Sequence, residues 1–121
     1  MNLNNKTFSS HSNSPNGDVS GQTLFKYCQE KDVIWAEYSG GIIQKGSLIG
    51  KVLNHEEIEF NYQHITLNME LRAGHCISKV NLMEDGRIKL TEHWKWFTDS
   101  QSEGCSELIE VTRFCTSSPK R

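Results

Sequence analysis

The 121-residue chain has no long apolar run, no excess of basic charge, no closely paired cysteines, no internal repeat and no convincing helical periodicity. Each absence removes a class. Nothing approaches the roughly 18 consecutive apolar residues of a membrane helix, and the segment Met1-Asn-Leu-Asn-Asn-Lys-Thr7 lacks the apolar core of a signal peptide. The sequence therefore reads as cytoplasmic, with no membrane partner. Thirteen Lys and Arg against 15 Asp and Glu give a net charge of −2, with no basic stripe of the kind that nucleic acid selects. Cys28, Cys76, Cys105 and Cys115 contain no CxxC pair, so reduced thiols are expected. The sequon Asn5-Lys6-Thr7 has no meaning without secretion. The best helical stretch, near Ser102 to Leu108, is interrupted by Gly104.

What the chain does contain is alternation. Candidate strands run over Asn5 to Ser10, Gln22 to Gln29, Asp32 to Tyr38, Ile42 to Leu53, Glu57 to Ile65, Glu70 to Val80, Arg87 to Phe97 and Ser106 to Phe114. Between them stand polar breaks: the stretch His11 to Asp18 reads as a loop, Glu30-Lys31-Asp32 as a tight turn, and Asp85-Gly86 as a hairpin. Gly46 and Gly50 fall inside a strand, where glycine marks bends or close packing at barrel corners. Short strands, short connections and 36% hydrophobic residues fit one all-β domain over residues 1–121: a single antiparallel barrel of about eight strands, ending in a polar tail from about 116. A sandwich is the second choice.

The most informative segment is Arg87-Ile-Lys-Leu-Thr-Glu-His-Trp-Lys-Trp-Phe97. Period two puts Ile88, Leu90, Glu92, Trp94 and Trp96 on one face, so a carboxyl group stands on an apolar strand face. A buried acid without a partner costs several kcal/mol or more, so a neighbour or a ligand is called for. The turn decides the neighbours. A two-residue turn at Asp85-Gly86 would bring His75 and Ile77 beside Trp96 and Trp94. A three-residue loop with Gly86 in a left-handed conformation would instead pair Met83 with Arg87 and set Val80, Ser78, Cys76 and Gly74 opposite Leu90, Glu92, Trp94 and Trp96. The second register matches apolar to apolar and gives Glu92 a hydroxyl neighbour, so it is preferred.

Other reactive side chains have simpler readings. His75 and Cys76 are adjacent on one strand and point to opposite faces, so they form no dyad with each other; Cys76 reads as a small core residue. Zinc at His64, His75, His93 and a cysteine would need a strand-to-strand convergence that the spacing does not signal. Trp94 and Trp96 read either as core fillers or as walls of an apolar cavity, with Tyr38, Tyr62, Ser78 and Glu92 as its polar contacts. Tyr62 and His64 both alternate with Phe60, so both can face inward, although a histidine near a strand end is more often solvated; Glu37 is expected to point outward or stand at the rim.

The segments Trp35-Ala-Glu-Tyr-Ser-Gly-Gly41, Gly74-His-Cys-Ile-Ser78 and Asp85-Gly-Arg-Ile-Lys-Leu-Thr-Glu-His-Trp-Lys-Trp96, in this order and spacing, resemble a family of small bacterial proteins. The resemblance runs from about Lys6 to about Glu110 and implies an avidin-like or lipocalin-like (calycin-like) barrel. Such proteins often carry the automatic label N-acetylglutamate synthase. That chemistry calls for backbone amides leading into a helix N-terminus to cradle phosphate, whereas Gly40-Gly41 sits between two strands.

Two function classes follow. The first is a non-enzymatic barrel, a monomer or small homo-oligomer, that binds a small molecule in its interior or acts as an interaction module, with no cofactor, metal or catalytic residue. The second is an enzyme with Glu92 as general acid or base, the acetyltransferase label included.

Overall fold

A computed structural model describes residues 1–97 and 102–111. Eight strands follow one another around a closed antiparallel barrel: β1 (Lys6–Asn13), β2 (Leu24–Glu30), β3 (Val33–Gly40), β4 (Ile43–Asn54), β5 (Glu57–Thr66), β6 (Leu71–Leu82), β7 (Ile88–Trp96) and β8 (Glu103–Glu110). Each strand pairs with its neighbour in sequence, and β1 closes the ring on β8. Closure excludes a sandwich. No helix occurs among the described residues.

Alternation dictates the inside. Along β3, Ile34, Ala36 and Tyr38 are buried while Val33, Trp35, Glu37 and Ser39 face solvent; along β7, Leu90, Glu92, Trp94 and Trp96 are buried. The β6–β7 loop takes the three-residue form: Gly86 has φ 91°, Met83 N–H donates to the Arg87 carbonyl at 2.8 Å, and Ser78, Cys76 and Gly74 lie opposite Glu92, Trp94 and Trp96. Gly40 and Gly41, at the β3–β4 turn, both have positive φ, a conformation glycine adopts without steric cost.

Two boundaries depart from the sequence reading by three residues each. β1 continues to Asn13 instead of stopping at Ser10, because a bulge between Ser10 and Ser12 lets it keep pairing with β8. β8 starts at Glu103, so the stretch considered for a helix is strand; pairing with β7 and β1 on both sides overrides local preference. Its expected end at Phe114, the polar tail and Cys115 lie outside the described residues.

Strand glycines serve the interior aromatics. Gly46 pairs with Tyr38, Gly50 with Phe60, Gly74 with Tyr62 and Gly104 with Trp94 across neighbouring strands. In each pair a Cβ on the glycine would collide with the aromatic partner. At Gly46, Gly74 and Gly104 the partner's ring itself takes the space of the missing side chain, whereas at Gly50 the close atoms are the Glu59 carbonyl and the Phe60 Cα and Cβ.

Candidate functional site

The barrel has two unlike ends. At the end holding the β2–β3, β4–β5 and β6–β7 turns, Leu3, Phe8, Ile34, Ile58, Leu90 and Leu108 are fully buried against one another. Toward the other end the interior opens into a cavity of about 40 Å³, room for a few water molecules or heavy atoms. Its walls are Phe25, Tyr38, Phe60, Tyr62, Trp94 and Trp96, with Leu48 and Cys76, and Glu92 stands among them. Trp94 and Trp96 lie 5.7 Å apart between ring centroids, and Tyr62 meets Trp96 edge-on at 5.4 Å.

The loop between β1 and β2, residues 14–23, covers the mouth, with Gly17, Asp18 and Val19 among the lining residues. Both indoles help to hold it. Trp96 Nε1–H donates to the Asn16 carbonyl at 3.4 Å. Trp94 Nε1–H donates to Ser106 Oγ at 2.7 Å, the Ser106 hydroxyl donates to Asn13 Oδ1, and Asn13 Nδ2–H donates to the Val19 carbonyl at 2.8 Å. Asp18 is the central tie: its carboxylate accepts from His64 Nε2–H at 2.9 Å and from Arg72 Nη1–H at 3.0 Å. His64 Nδ1 in turn accepts from the Tyr38 hydroxyl at 2.9 Å, and the Arg72 guanidinium lies 4.4 Å from the centroid of the Trp96 ring.

His64 is therefore not solvated as expected from its place near a strand end; it is 3% exposed, because Asp18 and Tyr38 occupy both ring nitrogens. Asp18 and Arg72 were not recognisable as partners in the sequence, where 54 positions separate them. Tyr38, Tyr62, Glu92, Trp94 and Trp96 converge on the cavity. Ser78 does not reach its lining; it is fully buried beside Glu92, toward the filled end. His75 and His93 face outward and pair with Glu59 and Glu103, each at 2.8 Å. Among the described residues no group of side chains is arranged to hold a metal ion, and Cys28, Cys76 and Cys105 form no disulfide.

Glu92 is the unusual group. It is 6% exposed, no cation among the described residues forms an ion pair with it, and its Oε2 has no hydrogen-bond partner. The register sets Ser78 beside it, yet the Ser78 hydroxyl and the Tyr27 hydroxyl are unpartnered too. Burial pushes the Glu92 carboxyl up to about 8, so the acid is mostly neutral at pH 7. Burial likewise raises Tyr27 and Cys76, and the Glu92 charge adds to both. Burial is also the largest cause of the rise at Tyr38 and at Tyr62.

The arrangement is an aromatic-walled cavity at the open end of the barrel with one unsatisfied acid at its floor. No curated protein and no solved structure matches the chain. The family model described as Avidin-like protein matches residues 1–111, a span that takes in all eight strands, and the chain belongs to that family.

Proposed function

We propose that the barrel binds a small molecule in its interior, with Trp94, Trp96, Tyr62 and Tyr38 as walls, Glu92 as the polar contact at the floor and loop 14–23 as the cover. The observation that carries this reading is the unpartnered Glu92 Oε2, buried beside a cavity that the protein's own side chains leave unfilled. A buried acceptor without a partner costs about 1–3 kcal/mol, and a bound molecule can recover that. Membership of the Avidin-like family supports the same reading at the level of the fold. A ligand of more than a few heavy atoms needs more room than the cavity's volume of about 40 Å³ and would press on loop 14–23, which contributes Gly17, Asp18 and Val19 to its lining.

A thermal-shift screen tests it. Biotin is one compound to include because of the family's name, and acetyl-CoA and glutamate test the acetyltransferase label. A ligand present at 100 times its Kd should stabilise the fold by about 2.7 kcal/mol. Trp35 lies on the outer face at 37% exposure, so Trp35→Phe leaves the two interior tryptophans as fluorescence reporters of the cavity. Binding should perturb their emission, and Glu92→Gln should weaken it by about 1–3 kcal/mol. A ligand that stabilises the protein without changing that emission would place binding elsewhere and end this reading.

A further inference from the structure

Resting on the interior-binding reading, we infer that the cavity is built for a small organic cation, an ammonium or amidinium group that pairs with the Glu92 carboxylate inside the aromatic walls.

The first argument counts donors and acceptors. Around the cavity, the Trp94 and Trp96 indole N–H groups, the Ser106 and Tyr38 hydroxyls, the Asn13 amide and His64 all spend hydrogen-bond donors on partners within the protein. Of the residues that line the cavity, Glu92 holds the unpartnered buried atom, its Oε2, while the unpartnered hydroxyls of Tyr27 and Ser78 lie outside the lining. The site therefore asks for a donor-rich ligand and offers little to an anion. The second argument concerns charge. Tryptophan, tyrosine and phenylalanine present faces of negative potential, and an aromatic enclosure with a carboxyl group is the recurring environment for ammonium-type ligands. The walls supply such rings from β2, β3, β5 and β7. The titratable groups that feel the Glu92 charge are Tyr27 on β2, Tyr38 on β3, Tyr62 on β5 and Cys76 on β6. All four are acids that are neutral near pH 7, so none supplies a counter-charge; the other titratable groups at the cavity, Asp18, His64 and Arg72, are tied to one another at its mouth.

In the ligand-free protein the carboxyl meets its burial by keeping its proton. A bound cation takes that proton's place: the proton leaves to solvent and the carboxylate is held by the ligand's N–H groups. Binding of a cation is therefore coupled to release of a proton while Glu92 is protonated, and affinity should rise by about tenfold for each pH unit until it levels off above pH 8.

Acetamidinium, acetamide and acetate are planar molecules of four heavy atoms that differ chiefly in charge, and they separate the possibilities. The indole N–H resonances of Trp94 and Trp96 report occupancy by NMR at constant ionic strength. Four heavy atoms limit affinity to the high micromolar to millimolar range, so titrations should extend to about 100 mM. At pH 8.5 acetamidinium should saturate both resonances at least about tenfold more tightly than acetamide, acetate should leave them unchanged, and the preference should vanish in Glu92→Gln. The pH dependence of acetamidinium binding to the unmodified protein gives the same answer without a variant. Acetamide binding as tightly as acetamidinium, or acetate more tightly, would overturn the inference while leaving an interior ligand site. If none of the three moves the indole resonances but the broader screen finds an interior ligand, the cation assignment falls alone. If the screen finds none either, both readings fall.

Discussion

The two halves of the barrel are built from the same alternating strands and hold opposite contents. In the filled half, Phe8, Ile34, Ile58, Leu90 and Leu108 leave no exposed surface, and Phe8 meets Tyr27 edge-on at 5.3 Å. In the open half, inward positions carry His64, Glu92, Ser106 and rings that stop short of filling the bore. The difference lies in what each half contributes. Apolar burial, worth about 25 cal/mol per Å², runs through both halves as one core, whereas the polar groups that hold the roof lie in the open half. The unfilled space and the polar ties of the roof are thus gathered toward one end of the barrel axis.

The largest test of that division is Phe8→Ala. Removing a fully buried ring should cost about 3–5 kcal/mol, read as a shift in the denaturation midpoint. A loss below about 1 kcal/mol would mean the Phe8 ring is not packed in the filled half.

Glu92→Gln should do the opposite. Burial holds the folded carboxyl at about 8, above its ordinary value of 4.5, so between these values the folded state binds more protons than the unfolded chain. Stability from this group therefore falls as pH rises through that window, by an amount of order several kcal/mol, and is level above it. The unmodified protein should lose stability relative to Glu92→Gln between pH 5 and pH 9, as measured by parallel urea titrations. Identical pH profiles for the two proteins would show that Glu92 is not desolvated.

Asp18→Asn attacks the roof. It weakens the ties to both His64 and Arg72, whose distances to Asp18 are 2.9 and 3.0 Å, and should cost about 1–3 kcal/mol. Faster hydrogen exchange should be confined to the loop 14–23 amides, with the filled half still protected. The smallest effect is expected at the outer pair His93–Glu103, more than half exposed on both sides. His93→Gln should change stability by less than about 1 kcal/mol and leave the tryptophan emission unchanged.

Much of this plan is legible in the sequence, for identifiable reasons. β7 has a two-residue period without interruption, and Asp85-Gly86 fixes its register against β6, so the convergence of Glu92, Trp94 and Trp96 followed from local chemistry. The far half of β1 was hidden by the bulge between Ser10 and Ser12, which breaks the alternation on which a strand is recognised. The Asp18–His64–Arg72 tie was not legible, since contacts between residues 46 and 54 positions apart leave no mark in any local window. Ser78 was placed beside Glu92 correctly but does not bond to it, because register fixes backbone pairing and leaves side-chain rotamers free.

The seam between β1 and β8 carries a consequence for the order of folding. Seven of the eight strand pairings join neighbours along the chain, while this one joins residues 8–13 to residues 106–110. Neighbouring hairpins close small loops and form early, whereas bringing β8 to β1 closes almost the entire chain and comes at the highest entropic cost. Until it forms, the molecule is an open ribbon with two unpaired edges, and an open edge recruits any strand within reach. The bulged seam is thus the point at which folding and aggregation compete, and weakening it should slow refolding and favour aggregation.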